Sequence, residues 1–278
     1  VVHGNLSPSV ESSYETNKPL GLVSVNGQLL FAANRSFNGW GLWKSDGTPN
    51  GTIQYTNVDP GDYFSDSRPE QFTVIGNSIL FMADDYVHGA ELWTSDGTAQ
   101  GTVLIRDLNP GREGSDTFSP TDYPIHTRRF DAEFAADGRL YFSARSFAHG
   151  TALWSTDGTA DGTRLVADFS AMATREPGAL NFTRIHDDLY FYVVGDDFNP
   201  GTSLWNIDTQ NDHPQRIATV DVHTKSAGIE SLGATGDLYF FQTYTGHDFF
   251  ELYAANVETG LIESLGVQDP VFYPAIVG

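Results

Sequence analysis

The chain has 278 residues, enough for one large domain or two ordinary ones, and with 40% hydrophobic and 13% aromatic residues it can bury a core. Its 36 acids against 15 bases give a formal net charge of −21, which argues against nucleic acid and against an anionic membrane surface, since both need clustered Lys and Arg. The absence of cysteine excludes disulfides, thiolate metal sites and cysteine nucleophiles, and no apolar run approaches the roughly 18 residues of a membrane span.

Taken in chain order, the elements repeat. Because the chain opens on Val1-Val2 rather than Met, processing or trimming is expected, and residues 1–8 read as a fourth strand and its exit. The first unit has an aromatic strand at Leu29-Leu-Phe31 and then the sentence Gly41-Leu-Trp-Lys-Ser-Asp-Gly-Thr-Pro-Asn-Gly-Thr52. The second parses most clearly. Glu70 to Ile75 alternates and ends at a Gly76-Asn77 hairpin turn, and Ser78 to Ala83 follows. A loop over residues 84–89 leads to Ala90–Ser95, the turn Asp96-Gly-Thr-Ala-Gln-Gly101, a fourth strand over 102–108 and an Asn109-Pro-Gly111 exit.

An insertion at 112–129 precedes the third unit, which has Leu140-Tyr-Phe142 and Ala152-Leu-Trp-Ser-Thr-Asp-Gly-Thr-Ala-Asp-Gly-Thr163. The fourth and fifth units carry Leu189-Tyr-Phe191 and Leu238-Tyr-Phe240 with degraded motifs, Ser203-Leu-Trp-Asn-Ile-Asp208 and Glu251-Leu-Tyr-Ala-Ala-Asn256. Residues 272–278 read as a lone first strand. The Phe residues step by 50, 61, 49 and 49, with no helical period anywhere, so the chain reads as all-β with a period of about 50 residues.

Four short strands repeated at that period predict a β-propeller of five four-stranded blades. The expected units cover about 20–60, 69–111, 130–170, 179–222 and 228–267 of a single 1–278 domain. The ends, 1–19 and 268–278, are expected to share a blade and close the ring, the alternative being a fragment of something longer.

A motif copied along one chain usually marks scaffold, because a catalytic site is needed once. Trp43, Trp93, Trp154 and Trp205, replaced by Tyr253 in the fifth unit, are therefore expected to pack between blades, each indole N–H finding a partner. The alternative is a ring of aromatic platforms for sugars. Asp46, Asp96 and Asp157 each precede Gly-Thr, where a short carboxylate can accept N–H bonds two residues on and Thr can close the loop. The Asp boxes of sialidase propellers use similar turn chemistry in a different residue order.

His88 and His149 occupy equivalent loops, with His247 near that place, and a structural hydrogen bond fits them better than a shared metal. In the same loops the pairs Asp84-Asp85 and Asp196-Asp197 could hold Ca²⁺, although no Asp-x-Asp-x-Asp-Gly spacing accompanies them. No other cofactor is expected. Asn5, Asn34, Asn50 and Asn181 lie in Asn-x-Ser/Thr sequons. The inner strands carry Glu70, Asp131, Glu133, Asn181 and Glu230, which would suit glycoside hydrolysis if two carboxylates converged. No nucleophile elbow, zinc helix, phosphate loop or dinucleotide fingerprint is present.

These units resemble the ELWxxDGT repeat of bacterial secreted and surface proteins. Residues 80–111 match its pattern almost throughout, units one and three match well, and units four and five loosely, together covering about 20–265. The first unit departs from the pattern with Gly41 for Glu and Asn38 for His. The resemblance implies a propeller-like repeat and a bacterial, exported origin (periplasmic, extracellular or surface), without implying an activity.

The expected function is a non-catalytic module that binds other protein subunits or a surface macromolecule. The insertion residues Arg112, Asp116, Tyr123, Arg128 and Arg129 are its candidate contacts. The alternatives are a lectin that binds a glycan and a polysaccharide-active hydrolase.

Overall fold

A computed structural model describes residues 18–34, 40–58, 69–111, 114, 133–136, 138–169, 182–186, 188–194, 202–209, 211–220, 229–244 and 250–268. All regular elements among them are β-strands. Sheet one holds β1 (Leu20–Val25), β2 (Gln28–Asn34), β3 (Trp40–Ser45) and β4 (Ile53–Thr56). Sheet two holds β5 (Glu70–Ile75), β6 (Ser78–Asp84), β7 (Ala90–Ser95) and β8 (Val103–Leu104). Sheet three holds β9 (Glu133–Ala136), β10 (Arg139–Ser146), β11 (Gly150–Thr156) and β12 (Arg164–Asp168). Sheet four holds β13 (Thr183–Ile185), β14 (Asp188–Val194), β15 (Thr202–Asp208) and β16 (His213–Val220). Sheet five holds β17 (Ile229–Thr235), β18 (Leu238–Tyr244), β19 (Phe250–Asn256) and β20 (Ile262–Gln268).

Within each sheet the hydrogen-bonded neighbours follow chain order. Tight turns produce this meander, as where Asn26-Gly27 sets Val25 opposite Gln28. The chain is thus all-β, with five four-stranded antiparallel sheets that fall at the spacing of the five expected units.

The chain divides into two compact units, Val1–Gly150 with Trp154–Leu165, and Thr151–Leu153 with Val166–Gly278. In the first, Val25, Leu30, Leu42 and Val58 of sheet one form a buried cluster with Ile79, Phe81 and Ala83 of sheet two, and Phe72 and Trp93 pack against it. Gly21, in β1 at φ 62°, lies where a Cβ would overlap the Phe72 ring, so only glycine fits between the first strands of sheets one and two.

The second unit repeats the scheme. Ile185, Tyr190, Tyr192 and Leu204 of sheet four pack on Tyr239, Phe241, Ala255 and Val257 of sheet five. In both units one face of a sheet meets the aromatic face of the next, and each buried Phe or Leu contributes about 1.5–3 kcal/mol.

That aromatic face is built from cross-strand pairs. Phe31 lies opposite Trp43, Phe81 opposite Trp93, Phe191 opposite Trp205 and Phe241 opposite Tyr253. The rings stack with centroids 6.4 Å apart for Phe31–Trp43 and Phe191–Trp205, and 5.2 Å for Phe241–Tyr253. In three sheets a bulge in the fourth strand accompanies this pair, where the partner of Trp43, Trp205 or Tyr253 steps to Gln54, Arg216 or Ser264.

Two expectations need correction. The fifth member of the Phe series is Phe241, not Phe240, because a one-residue slip along a strand exchanges its faces and it is Phe241 that is 3% exposed and stacked on Tyr253. The indole N–H groups are also not uniformly partnered. Trp93 Nε1 donates to Ala83 O at 3.1 Å, whereas the buried Nε1 atoms of Trp43, Trp154 and Trp205 make no hydrogen bond among the described residues. Packing of the ring, not its N–H, is what these positions share.

Ser143 on β10 is fully buried, and its Oγ makes no hydrogen bond among the described residues. The same place in sheet one, next to the Phe, is the fully buried Ala32. Replacing Ser143 by Ala removes an unsatisfied hydroxyl and should leave stability unchanged or raise it by about 1 kcal/mol in urea denaturation. A loss of that size would show that the hydroxyl has a partner.

Candidate functional site

The Asp-Gly-Thr turns are built identically. In sheet one, Asp46 Oδ1 accepts from Thr48 N at 2.9 Å and from Thr48 Oγ1 at 2.7 Å, and Thr48 Oγ1 accepts from Gly51 N at 2.9 Å. Thr52 Oγ1 donates to Thr48 O at 2.8 Å and lies 2.7 Å from Ser45 Oγ, which accepts from Gly47 N at 3.1 Å. The same bonds recur from Asp96 and from Asp157. Hydrogen bonds from Thr48, Thr98 and Thr159 hold the three carboxyls below the usual carboxylate range.

The second glycine of the motif has a steric cause, since a Cβ at Gly51, Gly101 or Gly162 would overlap the Asp46, Asp96 or Asp157 carboxylate. In the degraded fifth sheet, Asn256 Oδ1 takes over and accepts from Thr259 N at 2.8 Å and Thr259 Oγ1 at 2.9 Å.

The turns also clasp neighbouring sheets within the first unit. Lys44 Nζ donates to Gly97 O at 3.0 Å and lies over the Tyr55 ring, and Arg106 Nη1 donates to Thr163 O at 3.0 Å. The Tyr55 hydroxyl lies 3.1 Å from Ser95 Oγ, and burial pushes its pKa up to about 12. Lys44, Tyr55 and Arg106 were not legible as contacts, because the sequence motif covers only one side of each joint.

The most developed polar cluster is the loop from β6 to β7. Asp84 Oδ1 accepts from Tyr86 N at 2.7 Å, and Asp85 Oδ1 accepts from Val87 N at 2.9 Å and His88 N at 2.7 Å. Asp85 Oδ2 meets His88 Nδ1 at 2.7 Å. The expected structural role of His88 is what this geometry supplies. His149 behaves differently, with its ring edge-on to Trp154 at 6.4 Å. The candidate Ca²⁺ carboxylates Asp84 and Asp85 are engaged by their own loop, and among the described residues no three acidic or histidine groups are placed to hold a metal ion.

Glu91, the motif glutamate, is fully buried and accepts from Asn109 N at 3.1 Å, while Asn109 Nδ2 donates to Gly114 O at 2.5 Å. These bonds root the start of the insertion on sheet two. In sheet one, Gln54 and Asn57 fill the space left by Gly41.

Arg112, Asp116, Tyr123, Arg128, Arg129, Asp196 and Asp197 lie outside the described residues, as do Asp131, Asn181, His247 and Asn5. Glu70, Glu133 and Glu230 lie on the first strands β5, β9 and β17, each of a different sheet. Asn34 ends β2, and Asn50 is exposed in the first Asp-Gly-Thr turn.

No protein-family model and no curated protein matches the chain. Among solved structures, oligopeptidase B from Leishmania major aligns with a TM-score of 0.52 at 9% identity, covering 91% of this chain and 34% of that one. An oligogalacturonate lyase in complex with manganese has a TM-score of 0.46 at 11% identity, with 91% and 66% covered. A GH74 enzyme from Niastella koreensis has a TM-score of 0.45 at 10% identity, with 86% and 36% covered. The chain spans about a third of oligopeptidase B. This likeness is one of fold alone: the sheets are β-propeller-like.

The Asp85–His88 pair sets a pH dependence. Burial pushes the Asp85 carboxyl up, but the His88 N–H, the His88 ring and the Val87 N–H outweigh it and leave it below its ordinary value. The bond to Asp85 raises His88. The histidine's contribution is complete below about pH 6.5 and fades as pH rises through its raised folded value, and the aspartate's is complete above about pH 4 and fades below it. His88→Gln should therefore lower Tm by on the order of 1–2 °C near pH 5, half-exposure limiting the effect, and by less near pH 9. Equal losses at both pH values in calorimetric scans would contradict the ion pair.

Proposed function

We propose that the five sheets are the blades of one β-propeller and that the protein is an exported, non-catalytic subunit that docks other protein subunits. The residues we assign to that contact are Arg112, Asp116, Tyr123, Arg128 and Arg129 of the insertion. One observation carries the reading. The polar groups of the repeated motif, Asp46, Thr48, Ser45 and Thr52 with their counterparts, bond to one another and to their own turn. A group committed to its own backbone has little left to offer a ligand, so recognition falls to what is not repeated. The anchoring of Gly114 through Asn109 and Glu91 supports the insertion as the feature presented.

The test is native purification followed by sizing, with a glycan array run on the isolated chain. The expected result is stable association with other subunits, lost when Arg128 and Arg129 are both changed to Ala, and no sugar signal. Saturable glycan binding by the monomer would overturn the subunit reading in favour of a lectin. Glycan turnover abolished by Glu70→Gln would overturn the non-catalytic one.

A further inference from the structure

We propose that Asn26 is a site of spontaneous deamidation, set apart from Asn50-Gly51 and from the Asp-Gly pairs of the repeated turns by a glycine N–H that nothing among the described residues holds. In this chemistry the backbone nitrogen of the following residue loses its proton and attacks the side-chain Cγ. A C–N bond forms, ammonia leaves, and a cyclic imide results. Water then opens one of the two imide carbonyls, giving aspartate or an isoaspartate linked through its side-chain carboxyl. Water is the only co-reactant. Glycine favours the step because no side chain hinders its nitrogen.

On sequence alone several pairs qualify equally. The structure separates them. Gly51 N, after Asn50, donates to Thr48 Oγ1 at 2.9 Å, and Gly162 N, after Asp161, donates to Thr159 Oγ1 at 3.0 Å. Gly47, Gly97 and Gly158 donate to Ser45, Ser95 and Thr156 hydroxyls at 3.0 to 3.2 Å. Their preceding aspartates are also held ionised by Thr hydrogen bonds, which makes them poor targets for a nucleophile. Each of these nitrogens must break a hydrogen bond before it can attack.

Asn26-Gly27 has no such restraint. Both residues are exposed, at φ 52° and 74°, and a Cβ on Gly27 would meet nothing within 4 Å. Among the described residues nothing accepts from Gly27 N. Among the described residues the Asn26 amide makes one long bond, 3.4 Å to Asn77 O in the corresponding hairpin of sheet two. The product carboxylate cannot donate that bond and adds one negative charge. An isoaspartate also lengthens the main chain of a two-residue turn whose length sets the β1–β2 register.

The test is peptide mapping by mass spectrometry of the full chain aged at mildly alkaline pH, following the gain of about 1 Da when an amide becomes an acid. In the folded protein Asn26 should convert about five times faster than Asn50 or more, the factor that one ordinary hydrogen bond withholds from the tied nitrogen. In urea the two rates should converge. Thr48→Val should raise the Asn50 rate and leave Asn26 unchanged, while Thr48→Ser, which keeps the hydroxyl, should leave both unchanged. Equal rates in the folded chain, or an Asn26 that stays amidated while the unfolded chain converts, would overturn the proposal.

Discussion

A four-stranded sheet with apolar side chains on both faces cannot stand alone in water, and the rest of this structure follows from that constraint. Sheet one turns Leu30 and Leu42 to one side and Phe31 and Trp43 to the other, and all four are buried. The aromatic pair, stacked in Phe31–Trp43, Phe191–Trp205 and Phe241–Tyr253, gives its sheet a broad, stiff face, and in both units a neighbouring sheet offers Leu, Val or Tyr to meet such a face. Alternation along a strand makes the two faces interdependent, so insertion of one residue would exchange them. The second and third strands, which carry these pairs, accordingly keep to 6–8 residues in all five sheets.

Polar chemistry serves the same end. The Asp-Gly-Thr turn satisfies its own N–H groups through Asp and Thr side chains and offers Gly97 O to Lys44 of the adjacent sheet. A turn that is internally saturated and docked on its neighbour is suited to joining sheets. It is poorly suited to holding a ligand, and that is why the proposed function rests on parts of the chain that occur once. Glu91 belongs to both classes, being a motif residue that anchors Asn109 and through it Gly114 at the root of the insertion.

Much of the fold was legible in the sequence because local rules dictate it. Turn residues such as Gly76-Asn77, the period of about 50 and the alternation within strands place all five sheets. The carboxylate–Thr geometry was also legible, since it depends only on neighbours two residues apart. The Phe240–Phe241 choice was not, because matching triplets by eye ignores pairing, and only the register with Tyr253 decides which face a residue takes. The reach of Lys44 and Arg106 across sheets was hidden for a similar reason, their acceptors lying 53 and 57 residues away. The commitment of Asp85 to His88 was half visible: the histidine read as a structural hydrogen-bonding group, but its partner was not identified and the Asp84-Asp85 pair was read separately as a candidate Ca²⁺ site.

The central claim is that the repeated Trp is packing material and not a row of binding platforms. Tryptophan fluorescence tests it directly, because the chain has 5 Trp, three of them 3–7% exposed and none fully exposed. Acrylamide, a neutral quencher unaffected by the chain's negative charge, should quench the native emission weakly, the spectrum should be blue-shifted, and added oligosaccharides should change neither. Strong quenching of the native protein, relieved by a saturating sugar, would contradict the account.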